Sequence, residues 1–337
     1  MSEIEIKNEN GGRSMGCKKR SGDFLSSDGH SRTSWFIWTP EEAVPSAILQ
    51  ISHGMCEYIE RYESEGFIDA MTSAGFVVCG NDHIGHGRCA QENGDLGYFT
   101  DFSNLVDDLH TLNGIVRQTY RSLPYILLGH SMGSFVAREY IVKYDDIDGA
   151  IICGTSAGNQ PLRAAVMLAA TLARLRGERH ISRRLAAMSF GGYNDAFAEE
   201  HDGDSWLCSD PEVRRRYRAD PLCNFTFSVS AYRELFRMLS DISDKRGEPW
   251  SARVPQSLPV LLIAGDADPL GENGKGIREV YDRLSDAELC ELSMKLYHGG
   301  RHEILNDVMK HEVCSDIAEW IRSVATGVAA CRGASVK

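Results

Sequence analysis

The sequence predicts an α/β fold, a mostly parallel, doubly wound sheet with helices on both faces and a helical cap inserted late in the chain, and three observations carry this. Short apolar runs suited to buried strands alternate with segments whose apolar residues recur at helical spacing. One such run, Tyr125 to Leu128, meets the helix-like Met132 to Tyr144 through Gly129-His130-Ser131-Met132-Gly133, a G-x-S-x-G. Two later strands are each followed at once by a loop rich in ionisable side chains.

Taken in order, Phe24 to His30 leads through Ser-Asp-Gly, a turn signal, into the β-rich run Ser34 to Trp38. Pro40 and Pro45 bracket a connection to the strand Ala47 to Ile51, which ends in Ser52-His53-Gly54-Met55-Cys56-Glu57-Tyr58. A glycine directly after a strand lets the backbone turn its amides outward, as an oxyanion-binding loop requires. Glu60 to Ala74 has helical spacing and stops at Gly75. The strand Phe76 to Cys79 opens into the glycine-rich loop Asn81 to Arg88, and Asp101 to Arg121 reads as an amphipathic helix with Asp101 and Ser103 as caps. Gly149 to Cys153 is a further strand.

From 155 to 254 strand-like runs vanish and helical segments take over, which predicts the cap. Val260 to Ala264 resumes the sheet, Leu292 to Tyr297 is its last strand, and Lys310 to Val324 is a closing helix. The core is then 23–154 with 255–325, flanked by an unstructured polar leader, 1–22, and a tail, 326–337.

Composition narrows the functional classes. The 337 residues carry a net charge of −12 at pH 7, which argues against nucleic acid and anionic membranes as main partners. No run of about 18 apolar residues occurs, so no spanning helix or stable membrane anchor is expected. The leader has no signal-peptide core, and ten cysteines scattered without C-x-x-C pairs fit reduced thiols and a cytoplasmic setting. Cys79 and Cys153 read as small core residues. Oligomeric state is not legible.

The chemistry gathers at strand ends, where open α/β sheets bind ligands. A strand turning straight into a helix puts its apical residue in a strained conformation, and glycines on both sides let Ser131 project its hydroxyl over the sheet edge. The loop after Val260 to Ala264 offers Asp266 and Asp268, and the loop after Leu292 to Tyr297 offers His298 and His302. The resulting order is nucleophile, acid, base. A histidine would take the serine proton and return it to the leaving group, while a carboxylate fixes its tautomer.

At this point the chain resembles a known family, the α/β-hydrolase group that contains monoacylglycerol lipases, bacterial lysophospholipases and serine aminopeptidase-like hydrolases. The resemblance rests on His53 to Tyr58 with Arg61-Tyr62, Asp82-His83-Ile84-Gly85-His86-Gly87, Gly129 to Gly133, Gly265 to Asp268 and Arg301-His302-Glu303. It implies the α/β-hydrolase fold and a catalytic set of Ser131, Asp268 and His302, choosing Asp268 over Asp266 and His302 over His298. It further implies the amides of Met55 and Met132 as the oxyanion hole. Met55 stands where relatives often carry a small residue, which bears on substrate size.

The implied reaction is acyl transfer to water by a carboxylic ester hydrolase acting on a small acyl ester or lipid such as a monoacylglycerol or lysophospholipid. A peptidase or amidase of the same fold, or a non-catalytic binder on its scaffold, are the alternatives. Nucleophile, base and oxyanion donors are all protein groups, so no cofactor is implied. Asp82, His83 and His86 read as a structural loop rather than a metal site. His53 and His130 read as hydrogen-bonding the loops of Met55 and Ser131. Glu57 and Arg61, four apart, read as an ion pair, or with His53 as contacts to a polar substrate end. Ala164 to Ala173 is apolar nearly all round, which suggests a buried cap helix or a lipid-facing wall, and Arg214-Arg215-Arg216 reads as a solvated face.

Overall fold

The computed structural model describes residues 5–7, 16–159, 161–243 and 249–334, and its strands form one nine-stranded sheet. The strands are β1 (Glu5–Lys7), β2 (Cys17–Leu25), β3 (Arg32–Pro40), β4 (Ala47–Ser52), β5 (Phe76–Asn81), β6 (Tyr125–His130), β7 (Gly149–Cys153), β8 (Val260–Gly265) and β9 (Leu292–Tyr297). Their spatial order is β1-β2-β3-β5-β4-β6-β7-β8-β9. From β5 to β9 every neighbouring pair is parallel, and the antiparallel β1, β2 and β3 extend the β5 edge.

The helices are α1 (Arg61–Ser64), α2 (Phe67–Ser73), α3 (Gly87–Asn93), α4 (Ser103–Thr119), α5 (Met132–Lys143), α6 (Leu162–Arg176), α7 (Arg183–Phe190), α8 (Pro211–Ala219), α9 (Val229–Asp241), α10 (Lys275–Asp286) and α11 (Lys310–Ala334). Alternate residues of the central strands enter two different cores, as the two-residue period of a strand demands. Leu127, Ile152 and Leu262 pack with residues of α4, α5 and α10, whereas Ile126, Leu128, Ile151 and Ile263 pack with residues of α2 and α11. Burial on both faces is why these strands read as continuous apolar runs. Cys79 and Cys153 are wholly buried in β5 and β7. This is the expected α/β-hydrolase architecture.

Several boundaries differ from the sequence reading. Residues 17–22, assigned to the leader, belong to β2, which pairs with β3 from Cys17 opposite Pro40 to Leu25 opposite Arg32. Only Cys17, Gly22 and Phe24 of this strand are buried, so main-chain pairing makes it rather than an apolar pattern. The rest of the leader, apart from β1 and Gly16, lies outside the described residues. The tail is corrected too: α11 continues through 326 to Ala334. The helix expected over Glu60 to Ala74 is broken in two, because Gly66 takes a φ of 87°, which a helix cannot propagate.

Between β7 and β8 the described residues form α6 to α9, short 3-10 turns and a single bridge from Ile181 to Ser228. Against expectation, Arg214 is not solvated: it is 5% exposed, donates to Cys208 O at 2.6 Å and pairs with Asp202 at 3.0 Å. α6 is also not buried all round. Leu162, Ala165, Ala169 and Ala173 face inward, and the opposite side is exposed. Among the described residues no helix is long and apolar enough to cross a membrane.

Candidate active site

β6 turns into α5 at Ser131, whose φ of 54° and ψ of −121° are rare for a residue with a side chain. A Cβ on Gly129 would strike the Gly133 carbonyl, and one on Gly133 would strike the Ser52 carbonyl. Glycine at both positions lets α5 start this close to β4 and β6. The Ser131 N–H donates to Cys153 O at 3.0 Å and pins the turn to β7.

Two loops at the carboxyl ends of β8 and β9 complete the cluster. His302 Nε2 lies 2.8 Å from Ser131 Oγ, and Nδ1 lies 3.0 Å from Asp268 Oδ2. Asp268 is wholly buried, and its other oxygen accepts the Leu270 N–H at 2.9 Å. Facing a carboxylate, Nδ1 carries the ring proton and leaves Nε2 as acceptor for the serine hydroxyl. Burial pulls the His302 pKa down, but the charge and hydrogen bond of Asp268 outweigh it and leave the pKa raised above 6.5. Asp266 and His298 form a separate pair, 2.9 Å apart, with His298 fully exposed. Geometry thus joins Ser131 to the second carboxylate and the second histidine of the two loops.

Gly54 and Met55 follow β4 and lie against the elbow: a Cβ on Gly54 would sit 3.2 Å from Ser131 Cβ. Among the described residues the main-chain N–H groups of Met55 and Met132 donate to no protein acceptor. An oxyanion forming beside Ser131 can therefore recruit both.

The residues read as substrate contacts divide. His53 and Arg61 line neither cavity beside Ser131, while Glu57 lines the larger. His53 Nε2 accepts the His83 N–H at 2.9 Å and Nδ1 donates to Gly54 O at 2.8 Å, so it braces the loop before Met55. Burial pushes its pKa down to about 4, which keeps the ring neutral. Arg61 binds Glu57 at 2.7 Å and both oxygens of Glu303 at 2.9 and 2.6 Å. Glu57 also accepts the Gly54 N–H at 2.6 Å and the Tyr62 hydroxyl at 2.9 Å. Burial opposes ionisation of Glu57, but the His130 hydrogen bond and the Arg61 charge prevail and hold its carboxyl well below the usual range. His130 lies 3.3 Å from Glu57 Oε1 and 3.1 Å from the Tyr62 hydroxyl. One buried network therefore ties the Met55 loop, the Ser131 elbow and the His302 loop together. No group of histidine, cysteine or acidic side chains among the described residues is arranged to hold a metal.

The cap supplies what sequence reading missed. The Trp206 ring lies 5.0 Å from that of His302, the His302 N–H donates to Trp206 O at 3.3 Å, and the Glu303 N–H donates to Leu207 O at 2.7 Å. Trp206 and Phe190 border both cavities. The larger, about 390 Å³, mixes Glu57, His130, Asn194 and Asp204 with Ala186, Leu207 and Phe225; the smaller, about 110 Å³, presents Phe135, Leu162, Met188, Phe236 and Leu270. Ser131 and Met55 line both. A lone tryptophan in a segment without periodicity gives no signal, since only the fold brings it to the imidazole.

A family model described as serine aminopeptidase, S33, matches residues 43–309. The chain belongs to this hydrolase family. This S33 hydrolase is 28% identical over 309 residues to a monoacylglycerol lipase of Mycolicibacterium smegmatis, covering 92% of this chain and 99% of that one. It is 25% identical over 299 residues to a monoglyceride lipase of Rattus norvegicus, covering 87% and 88% of the two chains. Among solved structures it matches a thermostable carboxyl esterase from Bacillus coagulans in complex with glycerol, at 30% identity and a TM-score of 0.84, over 93% of this chain and 100% of that one.

Proposed function

We propose that this S33 hydrolase cleaves carboxylic esters of the monoacylglycerol type through an acyl intermediate on Ser131. The hydrogen-bonded sequence Ser131, His302, Asp268 at the meeting of a cavity of mixed lining and a mostly apolar one carries the reading. His302 Nε2 takes the Ser131 proton as Oγ attacks the ester carbonyl. The carbonyl oxygen becomes an oxyanion facing the Met55 and Met132 amides, each such donor being worth about 3 kcal/mol in related sites. His302 gives the proton to the departing alcohol, then repeats the cycle with water to release the acid and restore Ser131. The apolar cavity receives the acyl chain and the mixed cavity, which carries Glu57, Asn194 and Asp204, the alcohol, an arrangement that suits an ester with one greasy and one hydroxylated end. The names of the lipase and esterase relatives support the same substrate class.

A chain-length series of nitrophenyl esters and monoacylglycerols, run beside aminoacyl amides with Ser131→Ala as control, tests this. Esters of medium or long chain are expected to be turned over fastest. Preference for the amides would replace the ester reading with a peptidase, and no turnover of either would leave a binder.

The pH profile gives a second expected result. The base must be neutral at Nε2, and its pKa is raised, so kcat/KM should fall as pH drops through a midpoint above 6.5. Asp268→Asn removes the charge that raises it. That variant should move the midpoint down and lower kcat by about 10⁴-fold. A midpoint unmoved by Asp268→Asn would detach the acid limb from His302.

A further inference from the structure

Among the side chains lining the larger cavity beside Ser131, Glu57, Asp204 and Glu303 are carboxylates and none is lysine or arginine. Glu57 and Glu303 share the guanidinium of Arg61, which bonds to both and lies outside the lining. Asp204 is served differently. Its carboxylate accepts no hydrogen bond among the described residues, and the cation beside it, Arg218 Nε at 3.5 Å, belongs to a guanidinium that already donates to both oxygens of Asp202 at 2.8 and 2.9 Å. Burial raises the Asp204 pKa above 3.8 although Arg218 opposes this, as expected of a carboxylate short of donors. Its main chain is held on both sides: the Asp204 N–H donates to Asp202 Oδ1 at 3.0 Å, and its carbonyl accepts the Leu207 N–H at 3.0 Å in the turn that carries Trp206 against His302. The rings of Phe190, Trp206, Tyr217 and Phe225 line the same space.

We propose that Asp204 makes this cavity select its alcohol by charge: an alcohol bearing an ammonium group is preferred to a neutral one, and an alcohol bearing phosphate, sulfonate or carboxylate is turned away. The inference rests on the reading that the larger cavity holds the alcohol end of the ester. A carboxylate with unused acceptor capacity, half withdrawn from water, gains from a cation and loses from an anion. Of the three carboxylates, Asp204 is the one not hydrogen-bonded to a guanidinium, so it sets the sign of the field that the alcohol meets. The aromatic faces attract the same ammonium, whether protonated or quaternary. Neutral hydroxyls, such as those of a monoacylglycerol, donate to the same oxygens and are admitted. An ester whose alcohol carries a phosphate brings it against three carboxylates with no basic side chain in the lining to receive it, and rejection by repulsion is as much a part of specificity as attraction.

The test keeps the octanoyl chain constant and varies the alcohol: octanoylcholine, dimethylaminoethyl octanoate, the uncharged isostere neohexyl octanoate and the anionic sulfoethyl octanoate, each below the concentration at which it aggregates. Relative to the isostere, kcat/KM is expected to be about tenfold higher for both cationic esters and about tenfold lower for the sulfonate, the scale of a partly desolvated charge contact. Asp204→Asn should draw both ratios toward unity, and Asp204→Lys should reverse their order. Fluorophosphonate labelling of Ser131 in each variant checks that the site is still formed. Equilibrium binding of choline and of neohexyl alcohol to the full chain carrying Ser131→Ala reads the cavity without the reaction, and choline should bind about tenfold more tightly. Equal binding of the two alcohols, a sulfonate ester hydrolysed as fast as the isostere, or a preference for choline that survives Asp204→Asn would overturn the proposal. No turnover of any of the esters, with the choline preference intact and lost in Asp204→Asn, would overturn the ester reading instead and support the charge selection.

Discussion

Replacing Ser131 with alanine is expected to lower kcat for ester hydrolysis by about six orders of magnitude, because the nucleophile of a triad acts as a unit with its base and losing one abolishes the covalent route. The residue sits at a turn held by Gly129, Gly133 and the hydrogen bond to Cys153 O, none of which uses the hydroxyl. Folding and ligand binding should therefore survive. Mass spectrometry after fluorophosphonate treatment checks the point directly: the native chain should gain one adduct on Ser131, and the alanine variant none. Adduct formation elsewhere, or residual turnover within about a hundredfold of native, would be larger than an oxyanion hole and binding leave without a nucleophile and would remove Ser131 from the mechanism.

Arg61→Met should have the largest effect on stability. The residue is 3% exposed, and its guanidinium is bonded to Glu57 and Glu303 and lies 5.0 Å from the centre of the Tyr217 ring. Removing it strands two buried carboxylates, a change that costs about 3–5 kcal/mol where a buried ion pair is broken from one side. Burial opposes the charge on Arg61, but Glu303 and Glu57 outweigh it and leave its pKa far above the ordinary value, so the cation is present at any working pH. Denaturant unfolding of the variant measures the loss. A value below about 1 kcal/mol is what an exposed pair would give and would contradict the burial of the network. Adding Glu57→Gln and Glu303→Gln to Arg61→Met should recover part of the loss, since neutral amides leave no uncompensated charge.

The same residues explain what the sequence could and could not tell. Chemistry concentrated at glycine-flanked strand ends was legible, because Gly129, Gly133 and Gly265 are required by close backbone approach and the ionisable residues follow them directly. The parallel strands were legible for the same physical reason, burial on both faces. β2 was not, since a charged strand held by main-chain pairing carries no apolar pattern. Glu57 and Arg61 were visible as a pair four apart, but Glu303, the third member, lies 242 residues beyond Arg61. Only the resemblance chose between the two aspartates and between the two histidines; in the structure Asp268 and His302 are hydrogen-bonded in line with Ser131, while Asp266 and His298 form a pair of their own. In α6, alanine's small size hid the sidedness of the helix, because inward Ala165 and Ala169 and outward Ala164 and Ala170 read alike.

The hydrogen bonds from the amides of His302 and Glu303 to the carbonyls of Trp206 and Leu207 make one half of the cap a shelf for the base. Arg301, bonded to Ser205 O at 2.6 Å and stacked 4.1 Å over Phe197, fastens the same shelf. A cover that rose as a single body would carry the imidazole off the serine with it. Any rearrangement between β7 and β8 that keeps the imidazole on the serine has to leave 205–207 in place.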